Sequence, residues 1–124
     1  MDDERIWDFE RGLWQGGEDV YRARLDEACL MALPEQPFVF DSAAAFEAVS
    51  HTPRWDEVEF SDQRVSRPEE GLIVIAYRAS ASSGDKHYHA LCSSTLRRLG
   101  HEDWRIVQHQ QTPFATNIAD PLEG

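Results

Sequence analysis

The residues best equipped for chemistry gather at the end of one strand-like segment. Trp104-Arg105-Ile106-Val107-Gln108-His109-Gln110-Gln111-Thr112-Pro113 passes from apolar residues directly into amides and one imidazole. Such a strand can be buried, yet it carries hydrogen-bonding groups, and buried polar groups need partners. A pocket or an interface would supply them. His109 is the only histidine placed mid-strand beside small polar residues, and an imidazole that titrates near neutrality suits a general acid or base. With Ser93 opposite it, Thr95 and Gln111 become its neighbours. Tyr77 could donate its phenol to a bound carbonyl, as a neutral donor aimed into an apolar cavity can. Trp14, Tyr21 and Trp55 supply aromatic walls. The expected site is thus His109 and Tyr77 as catalytic groups, in a ligand pocket with Trp14, Tyr21, Trp55, Ser93, Thr95 and Gln111. The same pattern has a plainer explanation: a histidine satisfied by a hydroxyl in the core, a tyrosine packed with its hydroxyl at a rim, and tryptophans on a helical stripe that are simply core.

Other candidate groups are weaker. Glu10 lies within the first apolar stripe and Asp26 at a helix end; burial would raise the pKa of either. Asp62 points inward only if its strand keeps the assumed parity. His87-x-His89 places two imidazoles on one strand face, but His109 falls roughly 13 Å along the sheet from His89 at the usual rise, too far to be a third ligand. No metal and no cofactor is expected. Cys29 and Cys92 lack ligand spacing and sit in apolar segments, so both read as buried free thiols.

Composition narrows the classes further. Twelve Lys and Arg against 23 Asp and Glu give a formal charge of −11, which repels phosphate backbones, so nucleic acid is not an expected partner. The longest apolar run, Leu72 to Ala76, is far too short to cross a membrane. An acidic start, Met1-Asp2-Asp3-Glu4, does not resemble a secretory signal, and a cytoplasmic location follows as the default expectation.

The elements that must position these groups can be read in order. Asp2 or Asp3 caps a first helix with the stripe Ile6, Trp7, Glu10, Leu13 and Trp14. Gly16-Gly17 stops it. A second helix starts on Glu18 and Asp19, buries Val20, Tyr21 and Leu25, and ends at Asp26-Glu27. Cys29 to Leu33 reads as a buried strand, Phe38 to Phe40 as an extended piece, and Asp41 or Ser42 as the cap of a third helix through about Val49. Strands follow at about 55–66, 71–81, 87–98 and 104–112, joined by short turns that impose antiparallel pairing. The whole, residues 1–124, is expected to be one α+β domain: a curved, mainly antiparallel sheet with three N-terminal helices on one face.

Pairing Arg98 with Trp104 and Ala81 with His87 sets the faces. One carries Ile73, Ile75, Tyr77, Leu91, Ser93, Thr95, Val107, His109 and Gln111. The other carries Leu72, Val74, Ala76, Cys92, Ser94, Leu96, Trp104, Ile106, Gln108 and Gln110. Both are substantially apolar and helices cover only one, so a second copy of the chain is expected on the face bearing Cys92, Ser94, Leu96, Trp104, Ile106, Gln108 and Gln110. A one-residue slip in either turn would exchange the faces.

The order of these features is itself informative. A first helix marked by tryptophan and glycine, Gly16-Gly17 before a short second helix, Asp26-Glu27-Ala28 leading into a strand, and a closing Trp-x-Ile-Val-x-His strand resemble the nuclear-transport-factor-two-like superfamily. Within it the chain is most similar to SnoaL-like bacterial domains and to the association domain of calcium/calmodulin-dependent kinase II. The resemblance implies a cone of bent sheet closed by helices around a deep pocket, with dimerisation through the outer sheet face. It does not carry over a mechanism. Where ketosteroid isomerase has its base, this chain runs Ala28-Cys29-Leu30-Met31-Ala32-Leu33-Pro34, and the region of its second aspartate holds Ser93, Ser94 and Thr95. The arginines of the kinase association domain's pocket are also missing, since Ala79, Thr95 and Gln111 stand at those positions. Three functions follow as expectations: a homodimeric domain binding a small apolar or carbonyl-bearing molecule, an isomerase, cyclase or dehydratase using His109, or a structural association domain.

Overall fold

Local chemistry sets the first helix against the sheet. The computed structural model describes residues 1–114. Helix α1 (Asp3–Gln15) is capped by Asp2, whose carboxylate accepts from the Arg5 amide at 2.9 Å, and its stripe buries Ile6, Glu10, Leu13 and Trp14. Helix α2 (Glu18–Arg24) lies close against it: a Cβ on Gly12 would come within 2.9 Å of Val20 and one on Gly16 within 2.6 Å. Both glycines serve close approach, and Gly16 also ends α1.

The second helix stops at Arg24, earlier than expected, and strand β1 (Leu25–Ala32) takes over at once. Asp26 and Glu27 therefore sit in β1. Strand β2 (Val39–Asp41) leads into helix α3 (Ser42–Ser50), whose cap is Asp41, accepting from the Ala44 amide at 2.9 Å. Four long strands follow: β3 (Glu57–Glu69), β4 (Leu72–Ser83), β5 (Lys86–Gly100) and β6 (Asp103–Pro113).

The six strands form one sheet in the order β2-β1-β6-β5-β4-β3, with β1 parallel to β6 and every other pair antiparallel. The fold is thus α+β, with three helices on a curved mixed sheet. Bulges bend it. Two lie in the β3–β4 pairing, one at Asp62 with φ 52° and one at Pro68 on the edge strand, and others interrupt the β1–β6 and β5–β6 registers. Extra residues of this kind add twist and curvature.

The bulge in β6 also decides the faces. Arg98 pairs with Trp104 as expected, but Leu96 pairs with Ile106 while Thr95 pairs with Gln108, so Val107 is the extra residue. Beyond it His109 stands opposite Ser94, not Ser93. At the other turn His87 pairs with Ser82 rather than Ala81. The inner, helix-covered face therefore carries Ile73, Ile75, Tyr77, Ala79 and Ala81 of β4, Ala90, Cys92, Ser94 and Leu96 of β5, and Trp104, Ile106 and His109 of β6, all buried.

This corrects the expected association face. Cys92, Ser94, Leu96, Trp104 and Ile106 are core residues, and of that set only Gln108 and Gln110 lie on the outer face, where they meet Thr95 and Ser93. Leu91, placed on the inner face by the expected register, is 48% exposed on the outer one. Among the described residues no helix is long and apolar enough to cross a membrane.

Candidate functional site

Two adjoining regions occupy the inner face, one sealed and one open. The sealed region is a polar network inside the core. Glu10 comes down from α1 and is fully buried, as are Ser94 and, to 1% exposure, His109. The Tyr77 hydroxyl donates to Glu10 Oε2 at 2.6 Å and the Ser94 hydroxyl donates to the same oxygen at 2.5 Å. His109 Nδ1 lies 2.7 Å from Ser94 Oγ and 3.2 Å from Glu10 Oε2. The Trp14 indole donates to the Tyr77 hydroxyl at 3.1 Å.

These contacts orient one another. Ser94 has a single proton and gives it to Glu10, so its oxygen must accept from Nδ1–H of His109. Nε2 of a neutral His109 is then the acceptor for the Gln111 amide, 3.1 Å away, while the Gln111 carbonyl accepts from Tyr88 at 3.0 Å. Tyr88, Gln111, His109, Ser94 and Glu10 thus form one directional chain, reinforced as such chains are by mutual polarisation. Burial and the neighbouring Glu10 push the Tyr77 phenol well above its ordinary value, which keeps it a donor. Glu10 Oε1 is buried with no hydrogen-bond partner among the described residues, the one unmet demand in the network.

The open region is a cavity of about 330 Å³ above this network. Leu13, Trp14, Tyr21, Leu33, Pro34, Pro53, Trp55 and Tyr88 provide its apolar and aromatic lining, with Glu35, Thr52, Arg54, Ser83, Lys86 and Gln111 as polar groups. Trp55 stacks on Tyr88 with ring centres 5.8 Å apart and planes 8° from parallel, and Tyr88 meets Trp14 at 5.9 Å. The Tyr21 hydroxyl donates to the Leu13 carbonyl at 2.7 Å and accepts from Arg54 at 3.2 Å; burial raises its pKa, so it stays protonated. Trp14, Tyr88 and Gln111 belong to both regions.

Of the residues anticipated from sequence, Trp14, Tyr21, Trp55 and Gln111 come together around the cavity. His109 and Tyr77 lie beneath it within the sealed network. Ser93 and Thr95 are on the outer sheet face, bonded to Gln110 at 3.1 Å and Gln108 at 3.1 Å, because the β4–β5 register pairs Tyr77 with Cys92, one residue off the expected one, while the bulge at Val107 brings His109 to the same face as Ser94. Asp62 is exposed in the β3 bulge, 3.5 Å from Arg78. Asp26 is buried, and its carboxylate takes two bonds from Arg97 at 2.8 and 2.9 Å that hold its pKa below the usual aspartate value. His87 and His89 lie on the outer face of β5, and among the described residues no group of three or more His, Cys, Asp or Glu is placed to hold a metal. Cys29 and Cys92 are free and buried, each thiol pushed up to about 12 chiefly by burial.

Sequence reasoning missed Tyr88, Arg54 and Ser94. Tyr88 alternates with His87 and His89, and that alternation could have revealed it as the inward member of the run. Arg54, next to Trp55 in the connection before β3, carries no periodic signal.

No family model matches the chain, and no curated protein matches it. Solved structures do. A candidate ketosteroid isomerase from Parabacteroides distasonis is 14% identical with a TM-score of 0.76, over 90% of this chain and 87% of that one. A nuclear-transport-factor-two-like protein of unknown function in nutrient uptake from Rhodospirillum rubrum is 15% identical with a TM-score of 0.74, over 92% of this chain and all of that one. A candidate calcium/calmodulin-dependent kinase II association domain from Exiguobacterium sibiricum is 16% identical with a TM-score of 0.68, over 90% of this chain and 89% of that one. The chain therefore has the nuclear-transport-factor-two-like fold.

Proposed function

We propose that the protein is a small-molecule-binding domain whose cavity takes a largely apolar, flat ligand with one or two polar groups. The observation that carries this reading is the aromatic-walled cavity of about 330 Å³, within the size range of small-molecule sites and with polar side chains set among its aromatic ones. The stacked Trp55 and Tyr88 offer a planar wall, and the Gln111 amide offers a fixed polar contact. Titration with N-phenyl-1-naphthylamine, a neutral fluorescent probe, tests it. Saturable binding at one site per chain is expected, weakened about tenfold in Trp55→Ala through lost aromatic contact. Unsaturable binding, or binding indifferent to Trp55, contradicts the reading.

One observation supports a second reading as an acid–base enzyme of the isomerase, cyclase or dehydratase kind. The Gln111 amide both bonds to His109 Nε2 and lines the cavity, so rotation of that side chain would turn an imidazole backed by Ser94 and Glu10 toward a ligand's proton. Exchange of a carbonyl ligand's α-proton with deuterium, abolished in His109→Gln, would establish it; absence of exchange across small ketones would refute it.

We also infer self-association through the outer sheet face, where Leu30, Val39 and Leu91 are 55%, 65% and 48% exposed. Light scattering at micromolar concentration should give a dimer mass, lowered by Leu91→Lys; a monomer in the unmodified protein would end the idea.

A further inference from the structure

We propose that the cavity's ligand is a small aromatic carboxylate, bound through Arg54. This rests on the cavity being the binding site and adds the charge of what it holds. Arg54 comes from the connection between α3 and β3 and lines the cavity beside Trp55. Its guanidinium is held in place at one nitrogen: Nη2 donates to the Leu13 carbonyl and, at 3.2 Å, to the Tyr21 hydroxyl, while the carbon of the group sits 5.4 Å from the centre of the Tyr21 ring. None of these partners is an anion. Tyr21 stays protonated, and the Leu13 carbonyl, in the last turn of α1, brings only the partial charge of a helix end.

Arg54 Nε is buried and meets no acceptor among the described residues. A partly desolvated guanidinium that forms no ion pair is unfavourable, and because the group lines the cavity an anion there offsets its charge. Lys86 lines the same cavity, and neither it nor Arg54 forms an ion pair among the described residues. Among the described residues Glu35 is the one acid on the lining, so two cations outnumber it there within a chain of net charge −11. This local reversal of sign is what selects an anion.

The class of anion follows from shape and field. A planar guanidinium matches a carboxylate, and a field of many acids penalises a dianion such as a phosphate monoester more than a monoanion. The Trp55 and Tyr88 stack selects a flat ring at the other end of the molecule.

Calorimetric titration with 3-phenylpropionate and with its neutral isostere 3-phenylpropionamide tests the proposal on the intact chain. The acid should bind about tenfold more tightly than the amide, as charge-assisted bonds require. In Arg54→Gln that preference should fall to within about twofold while the affinity of the amide holds. Arg54→Lys keeps the charge and serves if the glutamine variant does not fold; it should retain part of the preference. Equal or tighter binding of the amide by the unmodified protein overturns the carboxylate proposal and leaves the cavity reading standing. Binding of neither compound overturns both.

Discussion

His109 and Gln111 are two residues apart on one face of one strand, yet they live in different regions. His109 is sealed, with both ring nitrogens committed to Ser94 and Gln111. Gln111 reaches the cavity. The strand's alternation gives the two the same direction; what separates them is cover. Glu10 from α1 fills the space over His109 and Ser94, whereas over Gln111 the cover is the looser wall of Trp55 and the connections around Pro34 and Pro53. Parity chooses a face, and the docking of another element chooses which positions on that face stay open.

The sharpest way to break this contrast is to remove the centre of the sealed region. Glu10→Ala strips the acceptor from Tyr77, Ser94 and His109 at once, and orphaning buried donors of this kind is expected to cost about 3–5 kcal/mol in urea unfolding. A loss below about 1 kcal/mol would show that the network is not holding the fold. Next come the two strand neighbours, compared directly. His109→Ala should lower stability by about 2–4 kcal/mol, from a cavity and unpaired partners, with ligand affinity changed less than its stability. Gln111→Ala should do the reverse, weakening 3-phenylpropionate binding by roughly 1 kcal/mol with a smaller effect on unfolding. If both variants lose stability alike and binding alike, the two regions are one.

Much of this layout is legible in the sequence. The stripe containing Glu10 and Trp14, the caps at Asp2 and Asp41, the turn pairing Arg98 with Trp104 and the enclosed character of the 104–113 strand all follow from local patterns. The partner of His109 does not. A single extra residue at Val107 carries no glycine or proline to mark it, yet it exchanged Ser93 for Ser94 as the partner of His109, and a one-residue change in the β4–β5 turn left Thr95 outward. The meeting of Glu10 with β4, β5 and β6 depends on how α1 docks across residues 67 to 99 positions away, information that no short-range pattern holds. Arg54 is invisible for a related reason: its meaning lies in forming no ion pair among the described residues.

A contrast of a different kind is available at Asp26, a buried acid that has its counter-ion. Because Arg97 lowers its folded-state pKa, Asp26 contributes stability in full above the ordinary aspartate value of about 3.9, and that contribution drains away as pH falls toward the lowered value. Unfolding measured from pH 7 down to pH 3 should therefore fall less steeply in Asp26→Asn than in the unmodified chain. Parallel curves would remove Asp26 from the account. The smallest effect expected is at the thiols. With their pKa pushed up to about 12, Cys29 and Cys92 should react with a thiol-specific disulfide reagent at pH 8 only on unfolding.

The cavity can be read in one spectrum, because two of the chain's four tryptophans line it and two do not. Trp14 and Trp55 line the cavity; Trp7 packs on Tyr77 and Phe60 in the core, and Trp104 lies near Arg98 at the far turn. Titration of nitrogen-15-labelled protein with 3-phenylpropionate, followed at the indole N–H signals, should shift Trp14 and Trp55 while Trp7 and Trp104 stay in place. Shifts at Trp7 or Trp104 with Trp14 and Trp55 unmoved would put the ligand elsewhere and contradict the cavity as the binding site.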